Sequence, residues 1–186
     1  MHMSLAQGWT VERVRALPDN GNLYEVIDGE LCVTPGPSYD HQSAARAVGQ
    51  RLVPCVEPQG LGYVFLSPID VEFGPRTMVA PDVAVVPLVN GRRPRHWREA
   101  GRRLLAVEIL SPGTAARDRG VKRRLYHREE VPEYWIVDLD TRLIERWRPG
   151  DVRPEVAQAE MVWTPAGGAA AHTIDVAALF ASVLDQ

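Results

Sequence analysis

One acid in an apolar run constrains this chain more than any other residue. Leu104 to Leu110 reads LLAVEIL, a stretch of strand length with Glu108 in its middle. A Ser-Pro-Gly turn follows, then a polar segment able to form a helix, then a second apolar run, Tyr134 to Val137. The order strand, turn, helix, strand puts Glu108 inside a sheet. A carboxylate there costs on the order of several kcal/mol unless it is paired or binds a metal. The helical segment carries Lys122, the only lysine in the chain, where the other twenty basic residues are all arginine. A compact ammonium on a flexible stem can orient water or stabilise a transition state in ways a planar guanidinium does not. Glu108 and Lys122 therefore form the core of a candidate site.

A length of 186 residues suffices for one domain with a full core, and no repeat or linker divides it, so a single domain is expected over residues 1–186. No apolar run approaches the length that spans a bilayer, and the N-terminus lacks a signal-peptide pattern. Cys32 and Cys55 have no metal-ligand spacing and suggest no disulfide framework, which points to a reducing, cytoplasmic compartment. The net charge is −3, yet its distribution is uneven. Gly91 to Arg128 holds twelve basic and three acidic residues, against nine and twenty-one elsewhere. That asymmetry fits a surface that meets a phosphate backbone, or equally a solvated arginine-rich face.

Taken in order, Thr10 can cap a short helix over Val11 to Leu17. Leu23 to Ile27 and Glu30 to Thr34 are β-prone runs joined by Asp28-Gly29, the strongest hairpin signal in the chain. On local pattern Glu25, in the first run, faces solvent. Ala44, Ala45, Val48, Leu52 and Val56 recur at helical spacing and predict a helix from about Asp40 to Val56, with His41 in its first turn. By itself that histidine reads as structural or solvated. Gly60 to Phe73 predicts one or two strands. Val79 to Val86 predicts a buried strand that Pro81-Asp82 opens, although Asp82 alone also suits a turn.

Pro87 to Gly101 is a loop in which arginines interleave with His96 and Trp97, a composition suited to phosphates and stacked bases. Arg92, Arg93, Arg95 and Arg98 there, with Arg123 further on, are the candidate nucleic-acid contacts. Beyond the second apolar run, Arg142 to Arg148 and Glu155 to Trp163 read as strands, and Ile174 to Leu184 as a terminal helix. The fold class expected is α/β (α+β-like): one mixed central sheet flanked by helices.

The pieces suggest a chemistry. Asp118, Lys122 and Tyr126 are spaced to share one helix face. Asp82 and Glu108, on adjacent strands, can hold a divalent cation such as Mg²⁺ or Mn²⁺ through oxygen ligands. Such an ion polarises a phosphoryl oxygen and activates water, and a nearby lysine stabilises the developing charge. This is the minimum equipment for phosphodiester hydrolysis.

Six stretches carry a resemblance: YEVIDGEL at Tyr24–Leu31, SYDHQ around His41, VAPDVAVV at Val79–Val86, VEILSPGT at Val107–Thr114, DRGVKRRLY at Asp118–Tyr126 and VPEYWIVD at Val131–Asp138. In this order they resemble the PD-(D/E)XK nuclease superfamily, and within it the bacterial "putative restriction endonuclease" family. The resemblance implies a restriction-endonuclease-like fold, Asp82 and Glu108 as metal ligands, and Lys122 as the catalytic lysine. It gives Glu25, His41, Asp118 and Tyr126 supporting roles. In the superfamily the lysine usually lies two residues after the acid. Here that position is Leu110, and the narrower family's shift of the lysine to the next helix accommodates Lys122. The function implied is a Mg²⁺- or Mn²⁺-dependent endonuclease acting on DNA, with a homodimer the common assembly. The alternatives are a nucleic-acid-binding or regulatory protein on the same scaffold, and a hydrolase of another phosphodiester.

Overall fold

The computed structural model describes residues 8–66, 69–96, 99, 101, 103–168 and 170–185. The chain runs through α1 (Val11–Arg15), β1 (Leu23–Ile27), β2 (Glu30–Thr34), α2 (Tyr39–Val56), β3 (Gly62–Leu66), β4 (Val71–Gly74) and β5 (Thr77–Val79). It continues with β6 (Val83–Pro87), β7 (Leu105–Ile109), α3 (Ala115–Arg117), a π-helical turn (Asp118–Lys122) and α4 (Arg123–Arg128). The last elements are β8 (Tyr134–Asp138), β9 (Leu143–Trp147), β10 (Glu155–Ala157), β11 (Glu160–Trp163), β12 (His172–Asp175) and α5 (Val176–Leu184). Two compact units result. One holds the described residues up to Gly36 together with Asp70–Ala80, and the other Pro37–Ile69 with the described residues from Pro81 onward.

The first unit is a four-stranded antiparallel sheet, ordered β2-β1-β5-β4, with α1 beside it. Thr10 caps α1 by accepting the Arg13 N–H. The hairpin forms where Asp-Gly predicts it. Asp28 (φ 52°) and Gly29 (φ 88°) both take positive φ, which the tight two-residue connection demands. Val11, Val14, Val26 and Met78 close a small core.

The second unit is built on a six-stranded mixed sheet, ordered β10-β9-β8-β7-β6-β3. Its one parallel pair is β7–β8. Every residue of these two strands is buried, so both faces are covered. Val83, Val85, Leu105, Val107, Ile109, Trp135 and Val137 share one core with the apolar faces of α2 and α5. Trp135 and Trp163 meet edge to face at 5.2 Å there. Their neighbours along each strand point to the opposite face, where the β7–β8 connection supplies a covering helix.

Three local expectations change. Val79 to Val86 is not one strand: Val79 ends β5 in one sheet and Val83 begins β6 in another. Pro81, with no N–H to give a ladder, sits at the break. Glu155 to Trp163 is likewise split, β10 pairing with β9 and β11 with β12. Ile174 belongs to β12, and the terminal helix starts at Val176, where Asp175 caps it by accepting the Ala178 N–H.

Candidate active site

Antiparallel pairing sets Val83 against Val107, Ala84 against Ala106 and Val85 against Leu105. Asp82 comes just before β6 and Glu108 just after Val107 on β7, so both lie at the end of that ladder. The Asp82 carboxylate lies against the β7 backbone, where its Oδ2 accepts the Ile109 N–H at 2.7 Å. His41 Nε2, from the first turn of α2, stands 3.2 Å from the same oxygen. Burial works against a charge on His41. Its hydrogen bond to Asp82, the Asp82 charge, the Ile109 backbone and the charge of Asp118 outweigh that and raise its pKa above the ordinary imidazole value.

Glu108 is 3 % exposed and Lys122 is 3 % exposed, so the pair is fully inside. Lys122 Nζ donates to Glu108 Oε1 at 2.9 Å, and Tyr126 Oη donates to the same oxygen at 3.0 Å. Asp118 Oδ1 is 3.8 Å from Lys122 Nζ. Asp118–Lys122 forms a π-helical turn, in which the Arg123 N–H reaches back five residues to the Asp118 carbonyl. Turns of this kind are rare and recur at functional sites. Tyr134, from β8, donates its hydroxyl to that same carbonyl at 3.1 Å and packs on Tyr126 with ring centroids 4.7 Å apart.

The remaining sequence-derived candidates divide. Glu25 is 1 % exposed, so the solvent-facing reading fails: on β1 its Oε1 accepts the Ala80 N–H at 2.8 Å within the first unit. Arg92, Arg93 and Arg95 are exposed. The Arg93 guanidinium lies over the Tyr63 ring at 5.7 Å, and the Arg95 backbone N–H bonds Glu99. Arg123 is half-buried, with its guanidinium 4.5 Å from the Trp147 ring centroid. Arg98, and the Trp97 beside it, lie outside the described residues.

Residue reasoning missed Arg119. Its Nε bonds Glu145 Oε1 and its terminal nitrogen bonds Asp138 Oδ2, both at 2.7 Å. Burial opposes the charges, but these bonds hold the Arg119 pKa above its usual value. They also hold Asp138 below its own, with help from Thr141. The signal available in sequence was position alone, since Arg119 and Asp138 both fall inside the quoted family stretches.

Among the described residues no group of three or more His, Cys, Asp or Glu side chains could hold a metal ion by itself. Mg²⁺ does not require one. It takes one or two carboxylates and completes its shell with water and substrate phosphate. The donor set of Asp82 and Glu108, hard oxygens at the end of the β6–β7 ladder, fits that demand.

Comparisons place this geometry in context. A solved structure titled as a "putative nuclease belonging to DUF820", from Anabaena variabilis, is similar in fold. Its TM-score is 0.78 at 20% sequence identity, and the match covers 95% of this chain and 99% of that one. No curated protein matches the chain. No described helix is long and apolar enough to cross a membrane. Residues 11–176, nearly the whole length, match the family described as "Putative restriction endonuclease". The chain thus belongs to that family, Uma2, and carries its mixed, helix-flanked sheet.

Proposed function

We propose that the protein is a divalent-metal-dependent endonuclease that hydrolyses phosphodiester bonds in DNA. The observation that carries this reading is the 2.9 Å contact of the only lysine with Glu108, the buried acid of β7. Asp82 and Glu108 would hold Mg²⁺ or Mn²⁺, which polarises a phosphoryl oxygen and acidifies an attacking water.

The chain's own residues do the rest. Tyr126 and Lys122 both donate to Glu108 Oε1, which fixes the carboxylate's rotamer before any substrate arrives. His41, in contact with Asp82 Oδ2 alongside the Ile109 N–H, orients the second carboxylate in the same way. Lys122 would stabilise negative charge as it develops on the phosphate. Exposed Arg92, Arg93 and Arg95 supply sequence-independent attraction to the phosphate backbone.

A supercoiled-plasmid nicking assay tests the reading. Nicking is expected with Mg²⁺ or Mn²⁺, and is expected to disappear with chelator, with Lys122→Ala and with Glu108→Gln. DNA binding at full strength with no cleavage under any divalent metal would replace the enzyme by a binding protein on the same scaffold.

A further inference from the structure

A second charged contact lies two strands away from the Lys122–Glu108 pair. Glu108 on β7 pairs with Ile136 on β8, and Ile136 pairs with Glu145 on β9. The two glutamates therefore occupy one row on one face of the sheet, separated by two strand spacings, about 9–10 Å. The π-helical turn crosses that row. Lys122 reaches Glu108 at one end, and Arg119 reaches Glu145 at the other while also bonding Asp138 on β8. In an α-turn, residues three apart lie on neighbouring rows of one helix face. The wider π-turn rotates Arg119 further from Lys122, so the two cations straddle the row.

We propose that Arg119 is the positioning residue for the Lys122 ammonium: its guanidinium, bridging Asp138 and Glu145, pins the π-turn so that Nζ stays on Glu108. Arg119 itself touches no reacting atom. Its effect on rate rests on the endonuclease reading above, whereas its effect on where Lys122 sits does not.

The solitary lysine permits a direct test. In protein labelled with [¹³Cε]lysine, a single side-chain methylene resonance reports Lys122. Burial and the bond to Glu108 are expected to hold its two protons inequivalent. In Arg119→Ala they should collapse towards the values of a mobile lysine, while far-UV circular dichroism stays that of a folded chain. Where cleavage is measured, kcat should fall about ten-fold or more, since small misplacements of a reacting group are costly, and KM for DNA should hold. Should Arg119→Ala fail to fold, Glu145→Gln keeps the guanidinium on Asp138 and should move the resonance part of the way. A Lys122 resonance that stays in place in either folded variant overturns the proposal. A resonance that moves in a protein that never cuts DNA upholds the positioning and removes only the endonuclease reading.

Discussion

Replacing Lys122 by methionine tests the buried pair at the centre of the site. The substitution keeps most of the side-chain volume and removes the charge. Glu108 then stays buried, with its side chain only 5% exposed, and retains the Tyr126 hydroxyl as a donor. Asp118, whose side chain is 2% exposed, loses the same cation. Breaking a buried ion pair by removing one partner costs about 3–5 kcal/mol, because the remaining charge is uncompensated. For a chain of this length each kcal/mol moves Tm by about 2–4 °C, so a fall of roughly 10 °C is expected. Thermal and urea unfolding followed by far-UV circular dichroism would measure it.

Distance alone gives the opposite ranking. Arg142 and Asp185 approach more closely, at 2.6 Å, but both are half exposed, so Arg142→Ala should produce a shift too small to resolve. Adding Glu108→Gln to Lys122→Met removes the stranded charge and should recover most of the lost stability. A Lys122→Met loss below about 1 kcal/mol, or a double variant whose losses simply add, would refute the reasoning.

Other expectations follow from the same geometry. Asp82→Asn should abolish Mn²⁺ binding in isothermal titration calorimetry and lower the cleavage rate by about 10²-fold or more, with the fold intact. Tyr126→Phe deletes one bond to a charged acceptor and should cost about 1.5–3 kcal/mol in urea unfolding, because Glu108 keeps Lys122. Asp138 has a lowered pKa in the folded chain, so it contributes stability above the ordinary carboxylate value. The wild-type advantage over Asp138→Asn should be full above pH about 4 and vanish as pH falls through the lower folded value. Single alanine substitutions at Arg92, Arg93 or Arg95 should each reduce the salt slope of DNA binding by about one, as read by fluorescence anisotropy.

What could be read in the sequence was whatever short-range chemistry decides. Asp28-Gly29 forms its hairpin because both residues tolerate positive φ, and α2 buries the five apolar positions its spacing marks. The break between Val79 and Val83 depends on which sheet claims each segment, a long-range choice that a uniform apolar run does not reveal. Glu108 was conspicuous as an acid in an apolar strand, and Lys122 as the lone lysine. They meet beside a π-turn, which no residue type announces, and near an arginine whose partners lie 19 and 26 residues further along. Glu25 misled because alternation of polar and apolar residues says nothing of a backbone N–H waiting 55 residues away. His41 was marked only by its place in the SYDHQ stretch, and its contact with Asp82 is purely tertiary.

The parallel pairing of β7 and β8 has a consequence for how chains like this are found. Parallel neighbours cannot be joined by a hairpin, so the connection must cross a face of the sheet, and here the crossing carries the ammonium. Lys122 lies 14 residues beyond Glu108, yet its Nζ ends 2.9 Å from it. A residue delivered by a crossover answers to the height of the layer above the sheet, not to a count along the chain. Searches for an acid and a lysine at fixed separation would pass over such a protein, whereas a search for the strand–crossover–strand frame with one cation facing inward would retrieve it.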